Sequence, residues 1–298
     1  FRNINMKKYI IVILSFLMVG CYQDSINPDL LQDYREKMVV NAVLTSGKPI
    51  KLILTNSLSA VDTNSYKGIQ NADIKIETSS VPTERPMSYV QGDTNYVSDL
   101  IANAGESLRI NIKHPDFTSS ATSTVAFPVS VGATANLTVD GGLDTSGLPG
   151  DLIQVSFNDP GDQPNYYRLK IHYWNQTIGD WIPLAFTKSD PSLTGYNSYN
   201  LNDASVIFSD ELFNGSNKVI STVAPSGLVS SNTDNKYLIE FSHISNDFFE
   251  YYRSIQRAQD AQEISFQGGY NNAVVIHSNI KNGLGILATQ TNSTTILK

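Results

Sequence analysis

The sequence contains a single cysteine, Cys21, among its 298 residues. A disulfide within the chain is therefore excluded, even in the oxidising compartments where exported proteins commonly form them. The fold must be stabilised by its hydrophobic core alone. A chain of this length can supply such a core, since proteins of about 300 residues bury roughly three quarters of the surface that the unfolded chain exposes.

Residue patterns that build zinc or catalytic sites are also lacking. The histidines are spread along the chain without an HxH or HExxH pattern; they are His114, His172, His243 and His277. Nucleophile-elbow, phosphate-loop and dinucleotide motifs are absent as well. The sequence therefore predicts a protein that is not an enzyme and that carries no cofactor and no zinc site.

Basic residues are outnumbered by acidic ones. The chain has 21 Lys and Arg against 28 Asp and Glu, which gives a formal net charge of −7 and a pI near 5.1. Proteins that bind nucleic acid present a clustered basic surface instead. We therefore expect no nucleic acid among its partners.

The one long apolar run lies near the start of the sequence and is too short to span a bilayer, which takes roughly 20 apolar residues. Lys7 and Lys8 precede it, it extends over residues 9–19, and Gly20 follows. This order of basic, apolar and small residues is typical of an export signal, which we place at residues 1–20.

The tetrapeptide Met18-Val19-Gly20-Cys21 resembles the bacterial lipobox, with methionine in the position where leucine is usual. The resemblance implies that the chain is cut before Cys21 and that this cysteine carries a diacylglycerol, with a further acyl chain such as palmitate on the new amino terminus. Two or three acyl chains would hold the protein stably on a membrane, with residues 21–37 as a polar tether. The alternative is a buried cysteine in a core helix, which the polar residues after Cys21 disfavour.

The sequence after the tether is rich in short strand patterns. Apolar and polar positions alternate in "ADIKIETS" and in "ESLRINIKH", where the isoleucines fall on one face. Clusters of Asn, Gly, Pro and Ser separate these segments, and no helical pattern lies between them. We therefore predict a mainly β fold, with an immunoglobulin-like β-sandwich over residues 38–130 as its first domain.

The composition shifts to Gly, Thr, Ser and Ala after Val131, which places a domain boundary near Ser130. Residues 131–298 again show strand patterns and are predicted to form a second β-sandwich-like domain. One amphipathic helix is expected near residues 245–263, with Ser245 as its N-terminal cap. Residues 188–202 are predicted to form a long polar loop.

Alternation is clearest in "NYYRLKIHYW", residues 165–174. We predict that every second residue from Tyr167 to Tyr173 faces the core and that the other face is at least partly exposed. Flat aromatic rings beside hydrogen-bonding groups suit sugar rings or a protein partner, so this second face is the candidate ligand-binding surface. Its residues are Tyr166, Arg168, His172, Trp174 and Trp181. Packing beneath the predicted helix or the polar loop is the alternative interpretation.

The loop "NDPGDQPN" is a second and weaker candidate. Asp159 and Asp162, with Asn158 and Asn165, offer the hard oxygen ligands that Ca²⁺ prefers. Their spacing is not that of an EF-hand, and the Pro and Gly residues already predict a tight turn between strands. Both interpretations stay open.

The order of motifs along the chain resembles the domain-of-unknown-function 4249 family of outer-membrane lipoproteins. The most specific segments are "DPG" and "NYYR" within residues 159–168, "FSDELFNG" at 208–215, which is similar to the family's F-x-D-x-x-F-x-G, and "NGLG" at 282–285. The resemblance covers nearly the whole chain after the signal. It implies a lipoprotein of the Gram-negative outer membrane, often encoded beside a TonB-dependent receptor and supposed to assist it. It brings no known activity and no functional residues.

We therefore expect a lipid-anchored outer-membrane protein that assists a TonB-dependent nutrient receptor or captures a ligand for it. A surface module that binds a glycan or a peptide on its own is the alternative, and a hydrolase with an unrecognised site is a third. The side of the membrane stays open, because Asp24 is the sole acidic residue shortly after Cys21, whereas an acid-rich stretch often directs such lipoproteins to the cell surface.

Overall fold

A computed structural model describes residues 34–59, 65–92, 94–195, 198–202, 204–225, 227, 236–262 and 274–298. The signal predicted at residues 1–20, Cys21 and most of the tether predicted at 21–37 lie outside the described residues and stay predictions. The last tether residues, 34–37, have no regular secondary structure.

Within the described residues the chain forms eighteen β-strands and one α-helix. The strands are β1 (Met38–Thr45), β2 (Pro49–Asn56), β3 (Asp73–Thr78), β4 (Arg85–Pro86), β5 (Ser88–Tyr89), β6 (Asn95–Ile101), β7 (Ser107–Lys113), β8 (Ala121–Ala126), β9 (Ala133–Leu143), β10 (Pro149–Asn158), β11 (Tyr166–Asn175), β12 (Asp180–Pro183), β13 (Thr187–Lys188), β14 (Ser198–Asn202), β15 (Ser205–Ser209), β16 (Asn217–Pro225), β17 (Tyr237–Ile244) and β18 (Leu284–Leu297). The helix α1 spans Asn246–Gln262, and a 3₁₀ turn spans Pro191–Leu193. The predicted β-rich class with one helix is confirmed.

The strands form three sheets. The large sheet has ten strands in the order β14-β15-β11-β17-β18-β1-β2-β6-β5, with β12 beside β11. The first small sheet has the order β4-β3-β7-β8, and the second small sheet has the order β13-β16-β10-β9.

Two apolar cores lie between these sheets. The first core joins β1, β2 and β6 of the large sheet to β3, β7 and β8, and its fully buried residues include Leu54 and Ile76. The second core joins β11, β15 and β17 to β10 and β16, and its fully buried residues include Ile153 and Leu169. Burial alternates along strands such as β7, as the period of two in the sequence predicts. The two cores give the fold two sandwich-like parts.

Strand β18 connects the two halves of the large sheet. Its residues 284–290 pair in parallel with β1, and its residues 290–297 pair antiparallel with β17. The strand changes partner at Gln290, whose Nε2 donates to Thr45 Oγ1 at 3.0 Å. Leu287 belongs to the first core, so the end of the sequence completes a sandwich built mostly from its beginning.

The domain boundary predicted at residues 130 and 131 falls in the connection between β8 and β9. Three buried side chains tie this connection to the large sheet. Thr289 Oγ1 donates to Ala126 O at 2.6 Å, Thr291 Oγ1 donates to Pro128 O at 2.6 Å, and His243 Nδ1 lies 2.9 Å from Val129 O. The division into domains at 38–130 and 131–298 stays a prediction, with β18 shared by the two halves of the sheet.

The helix α1 lies on the outer face of the large sheet, on the side away from the second core. Ser245 caps it as predicted, since its Oγ accepts from Phe248 N–H at 3.3 Å. The same Oγ accepts from Thr289 N–H at 3.2 Å and so joins the start of the helix to β18. Phe248 and Phe249 are buried against outward residues of the sheet, among them Ile244.

The prediction of one irregular loop over residues 188–202 is wrong. Asp190 caps the 3₁₀ turn by accepting from Ser192 N–H at 2.8 Å, and β14 then pairs antiparallel with β15 at the edge of the large sheet. The polar sequence of β14 conceals this strand, because pairing and packing determine strand formation more than intrinsic propensity does.

Gly285 lies where β18 approaches β1 most closely. Its φ is +93°, and a Cβ added there would lie 2.1 Å from Val40 O. We expect Gly285→Ala to lower the free energy of unfolding by more than about 3 kcal/mol, because two hydrogen-bonded strands would have to separate. Gly47→Ala is the matched control, since Gly47 also has a positive φ, +74°, but has nothing within 4 Å of the added Cβ.

The control should lose only the strain of a left-handed residue, about 1–2 kcal/mol. Denaturant unfolding of both variants measures the difference. Equal losses would contradict the close approach of the two strands.

Candidate functional site

The second face of β11 is where the sequence predicts ligand binding. Tyr167, Leu169 and Ile171 are fully buried in the second core, whereas the residues between them are partly exposed. The residues of β11 that face the core are therefore the ones that the sequence predicts. Cross-strand pairing places outward residues of β12 and β17 on the same side of the sheet. We call this surface the β11 outer face and define it by Arg168, Lys170, His172, Trp174, Trp181 and Glu240.

One end of this surface is covered by α1. The ring of Tyr166 stacks on Phe249 with 4.7 Å between the centroids. The guanidinium of Arg168 lies 5.7 Å from the centroid of Phe248, and its Nε donates to Ser205 Oγ at 3.1 Å. Burial lowers the pKa of Arg168 from its ordinary value. Both side chains thus pack beneath the helix, as the alternative interpretation has it.

Basic side chains continue along β11 beyond the helix. Lys170 Nζ lies 3.5 Å from Glu240 Oε2, in an ion pair whose two side chains are 29% and 28% exposed. Burial lowers the pKa of Lys170, and the charge of Arg168 lowers it further, while Glu240 opposes both effects. Glu240 therefore has two neighbouring cations, Arg168 and Lys170.

His172 occupies the next outward position on β11. Burial lowers its pKa, Glu240 opposes this effect, and Lys170 adds to it. The net lowering of its pKa favours the uncharged imidazole. Its Nδ1 is buried and has no hydrogen-bond partner among the described residues.

The two tryptophans form the aromatic part of the surface. Trp174 on β11 pairs directly with Trp181 on β12, and the rings meet edge to face at 5.2 Å and 70°. Both side chains are partly exposed. The pair offers a rigid apolar surface at the end of β11 opposite to Tyr166, whose ring stacks on Phe249 of α1.

Four of the five predicted ligand residues thus belong to the β11 outer face; Arg168 packs beneath α1, as Tyr166 does, and the other three are His172, Trp174 and Trp181. The structure adds two residues that were not among the candidates. The alternation along β11 places Lys170 on this face and is the signal that could have identified it. No local signal identifies Glu240, because its position depends on the pairing of β17 with β11.

The segments that resemble family motifs meet in a different place. The carboxylate of Asp159 accepts from the hydroxyl of Tyr167 and, at 2.7 Å, from Gly215 N–H. The loop between β10 and β11 is thereby fixed to the loop between β15 and β16. Gly161 and Gly215 are in contact there, since a Cβ on Gly161 would lie 2.8 Å from Gly215 Cα.

A second pair of residues supports the same junction. Asp210 Oδ2 accepts from Asn165 N–H at 2.8 Å, and Asn165 Nδ2 donates to the carbonyls of Pro160 and Gln163. Burial raises the pKa of Asp210, the Asn165 N–H lowers it in part, and the nearby Asp159 raises it. The motif residues named here hold the two loops together. The segment "NGLG" at 282–285 includes Gly285, where β18 approaches β1 closely.

The two calcium candidates differ in their surroundings. Asp159 is 7% exposed, and both of its carboxylate oxygens accept hydrogen bonds from the protein. Asp162 is exposed. The described part of the chain contains no group of three His, Cys, Asp or Glu side chains placed to hold a metal ion. Calcium binding stays a prediction, and the hydrogen bonds of Asp159 account for that residue without it.

Asp159→Ala would remove the acceptor of the buried Tyr167 OH and of Gly215 N–H, which lies in an exposed loop. An unsatisfied buried donor costs about 1–3 kcal/mol, so we expect the free energy of unfolding to fall by about 2 kcal/mol. Asp162→Ala is the matched control in the same loop and should change this free energy by less than about 0.5 kcal/mol.

Thermal unfolding in calcium chloride and in EDTA extends this test. If the role of Asp159 is purely structural, calcium should leave the unfolding temperature of the wild type and of both variants unchanged. A calcium-dependent stabilisation of wild type that both variants lose would overturn the structural account.

Among the described residues, α1 is too short and too polar to cross a membrane, and no other helix qualifies.

Comparisons with known proteins bear on the family. No curated protein matches the sequence. Among solved structures, the chain is similar to Salmonella alpha-2-macroglobulin reacted with methylamine, at 12% identity and a TM-score of 0.24, over 72% of this chain and 14% of that one. The chain therefore spans about a seventh of that protein's length.

The family itself is shown by a match to the domain of unknown function DUF4249 over residues 23–296. This match covers nearly the whole sequence, including the three segments at 159–168, 208–215 and 282–285 on which the resemblance depends. The protein belongs to the DUF4249 family.

Proposed function

We propose that this protein is a non-enzymatic, lipid-anchored lipoprotein of the outer membrane that captures a ligand for a TonB-dependent nutrient receptor and assists it. The observation that carries the binding role is the β11 outer face. It holds two partly exposed tryptophans and an ion pair on strands of the large sheet, with Trp181 on the short strand β12 beside β11. Sites on such rigid elements hold their side chains in a fixed geometry.

The anchor is supported by the sequence. Lys7 and Lys8, the apolar run and the lipobox-like Met18-Val19-Gly20-Cys21 occur in the order that lipoprotein export requires. Lipid on Cys21 would keep the binding face close to a receptor in the same membrane. A tethered ligand-binding protein raises the local concentration of its ligand there.

The chemistry of the carboxylates supports binding rather than catalysis. Asp159 and Asp210 are buried and accept hydrogen bonds that join two loops. Glu240, on the outer face, is paired with Lys170. A general acid or base would instead be poised to exchange a proton with a substrate.

Purification of the tagged full-length protein from detergent-solubilised outer membranes tests the partnership. We expect a TonB-dependent receptor to be recovered with it, because the proposal places both proteins in one complex. The same tag on an unrelated outer-membrane lipoprotein is the control. Recovery of the lipidated protein without a receptor would contradict the partnership.

Cys21→Ser tests the anchor separately. The variant should remain uncleaved or soluble and should not incorporate labelled palmitate, because the sulfur that receives the diacylglycerol is absent. Labelling and fractionation of cells that express wild type and variant measure both properties. A variant that is still labelled and membrane-bound would show that Cys21 is not the anchor.

The tryptophan pair favours a second candidate, a surface module that binds a glycan or a peptide without a receptor. Trp174→Ala should then lose most binding on a glycan or peptide array, because the aromatic surface for a flat ring is removed. Tyr66→Ala is the control, since Tyr66 is 71% exposed and lies outside the β11 outer face. Unchanged binding by Trp174→Ala would remove this residue from any such site.

A further inference from the structure

Positive charge collects on the β11 outer face, although the chain as a whole carries −7. Arg168 and Lys170 lie two residues apart on the same side of β11, and the positive charge of each lowers the pKa of a neighbouring basic side chain. Glu240 is the one carboxylate among the outward residues of β11, β12, β15, β17 and β18 that the structure describes. The surface therefore has the charge opposite to that of the protein that carries it.

Lys236 extends this basic surface toward the tryptophans. Trp174 N–H donates to Lys236 O at 3.1 Å, and Lys236 N–H donates to Leu297 O at 2.8 Å, so the strand pairing continues through Lys236. Tyr237, the next residue, points into the second core. Alternation therefore directs Lys236 outward, beside Trp174. On the neighbouring strand β18, the outward residues Thr294 and Ile296 lie opposite Glu240 and Leu238, and both are uncharged and exposed.

The aromatic and basic groups are separated along one strand. Lys170 precedes Trp174 by four residues, which is about 13 Å along a β-strand. A short oligosaccharide spans this distance, whereas a monosaccharide does not. His172 lies between them on the same side of the strand and is partly exposed.

We propose that the β11 outer face binds an acidic oligosaccharide, a chain of uronate sugars, with one ring against Trp174 and Trp181 and carboxylates at Lys170 and Lys236. This inference rests on the ligand-capturing role proposed above and names the class of ligand. The carboxylates of the uronate chain complement the basic side chains of the β11 outer face. The apolar face of a sugar ring complements the tryptophans.

The backbone of β11 disfavours an extended peptide as the ligand. Peptides that add to a sheet pair with the unpaired backbone groups of an edge strand. Strand β11 pairs with β17 on one side and with β15 and β12 on the other, so its backbone is already occupied. Recognition on this face must use side chains, which suits a sugar chain.

Isothermal titration calorimetry on the purified full-length protein in detergent, without any receptor, tests the proposal. The probes are tetramers of galacturonate, glucuronate and mannuronate, each beside the neutral tetramer of the corresponding hexose. We expect saturable binding of at least one uronate tetramer, about tenfold tighter than its neutral counterpart, because hydrogen bonds to charged groups are the stronger ones.

Variants locate the binding. Lys170→Gln and Trp174→Ala should each weaken binding of the uronate tetramer by about tenfold. Glu240→Gln should tighten it, because this change removes the carboxylate that competes for Lys170. A purely structural role of Glu240 would not produce tighter binding. Lys113→Gln is the control, an exposed lysine on β7, and should bind as wild type does.

Three results would overturn the proposal. The first is an absence of saturable binding to all three uronate tetramers, or equal binding of acidic and neutral forms. The second is tetraglutamate binding as tightly as the best uronate, which would indicate an acidic peptide or any polyanion. The third is that Glu240→Gln does not tighten binding of the uronate tetramer. This result can be obtained even if the Trp174→Ala variant does not fold. None of these results depends on the receptor, so the partnership and the ligand class can fail separately.

Discussion

The pairing of β18 with two different strands is the constraint on which the rest of the structure depends. Its first half lies beside β1 and its second half beside β17. It supplies Leu287 to the first core and Leu297 to the second core. Main-chain hydrogen bonds, rather than a linker alone, therefore join the two sandwich-like parts. The strands of the β11 outer face belong to a sheet that is continuous across both.

A buried polar junction determines which residues of β11 reach that outer face. Asp159 accepts from the hydroxyl of Tyr167, and the ring of Tyr167 stacks on Phe241 at 5.2 Å within the second core. A strand with one residue fixed in this way cannot shift by one position, because every side chain would change face. The inward contacts of Tyr167 thus hold Lys170 and Trp174 outward. The family motif at residues 159–168 therefore positions the candidate site through the Asp159–Tyr167 hydrogen bond, although the motif is not the site itself.

Local patterns were sufficient to predict much of the fold. The alternation in β11 and the cap at Ser245 depend on residues a few positions apart, and both predictions are confirmed. The parallel pairing of β1 with β18 was not predictable in this way, since parallel strands are not joined by a short hairpin turn and so leave no local signal in the sequence. The candidate site divides similarly: alternation placed Trp174 on the second face, but the covering of Tyr166 by α1 and the position of Glu240 depend on neighbours distant in sequence.

The shared strand also has a consequence for the order of folding. Val39 pairs with Leu284, so β1 reaches its final partner only after a loop containing most of the chain has closed. Folds dominated by such distant contacts form slowly. Chains with several domains usually fold from the N-terminal end as synthesis proceeds. Here β18 can join β1 and β17 only once residues 284–297 are in place, so we expect the two sandwich-like parts to be completed together.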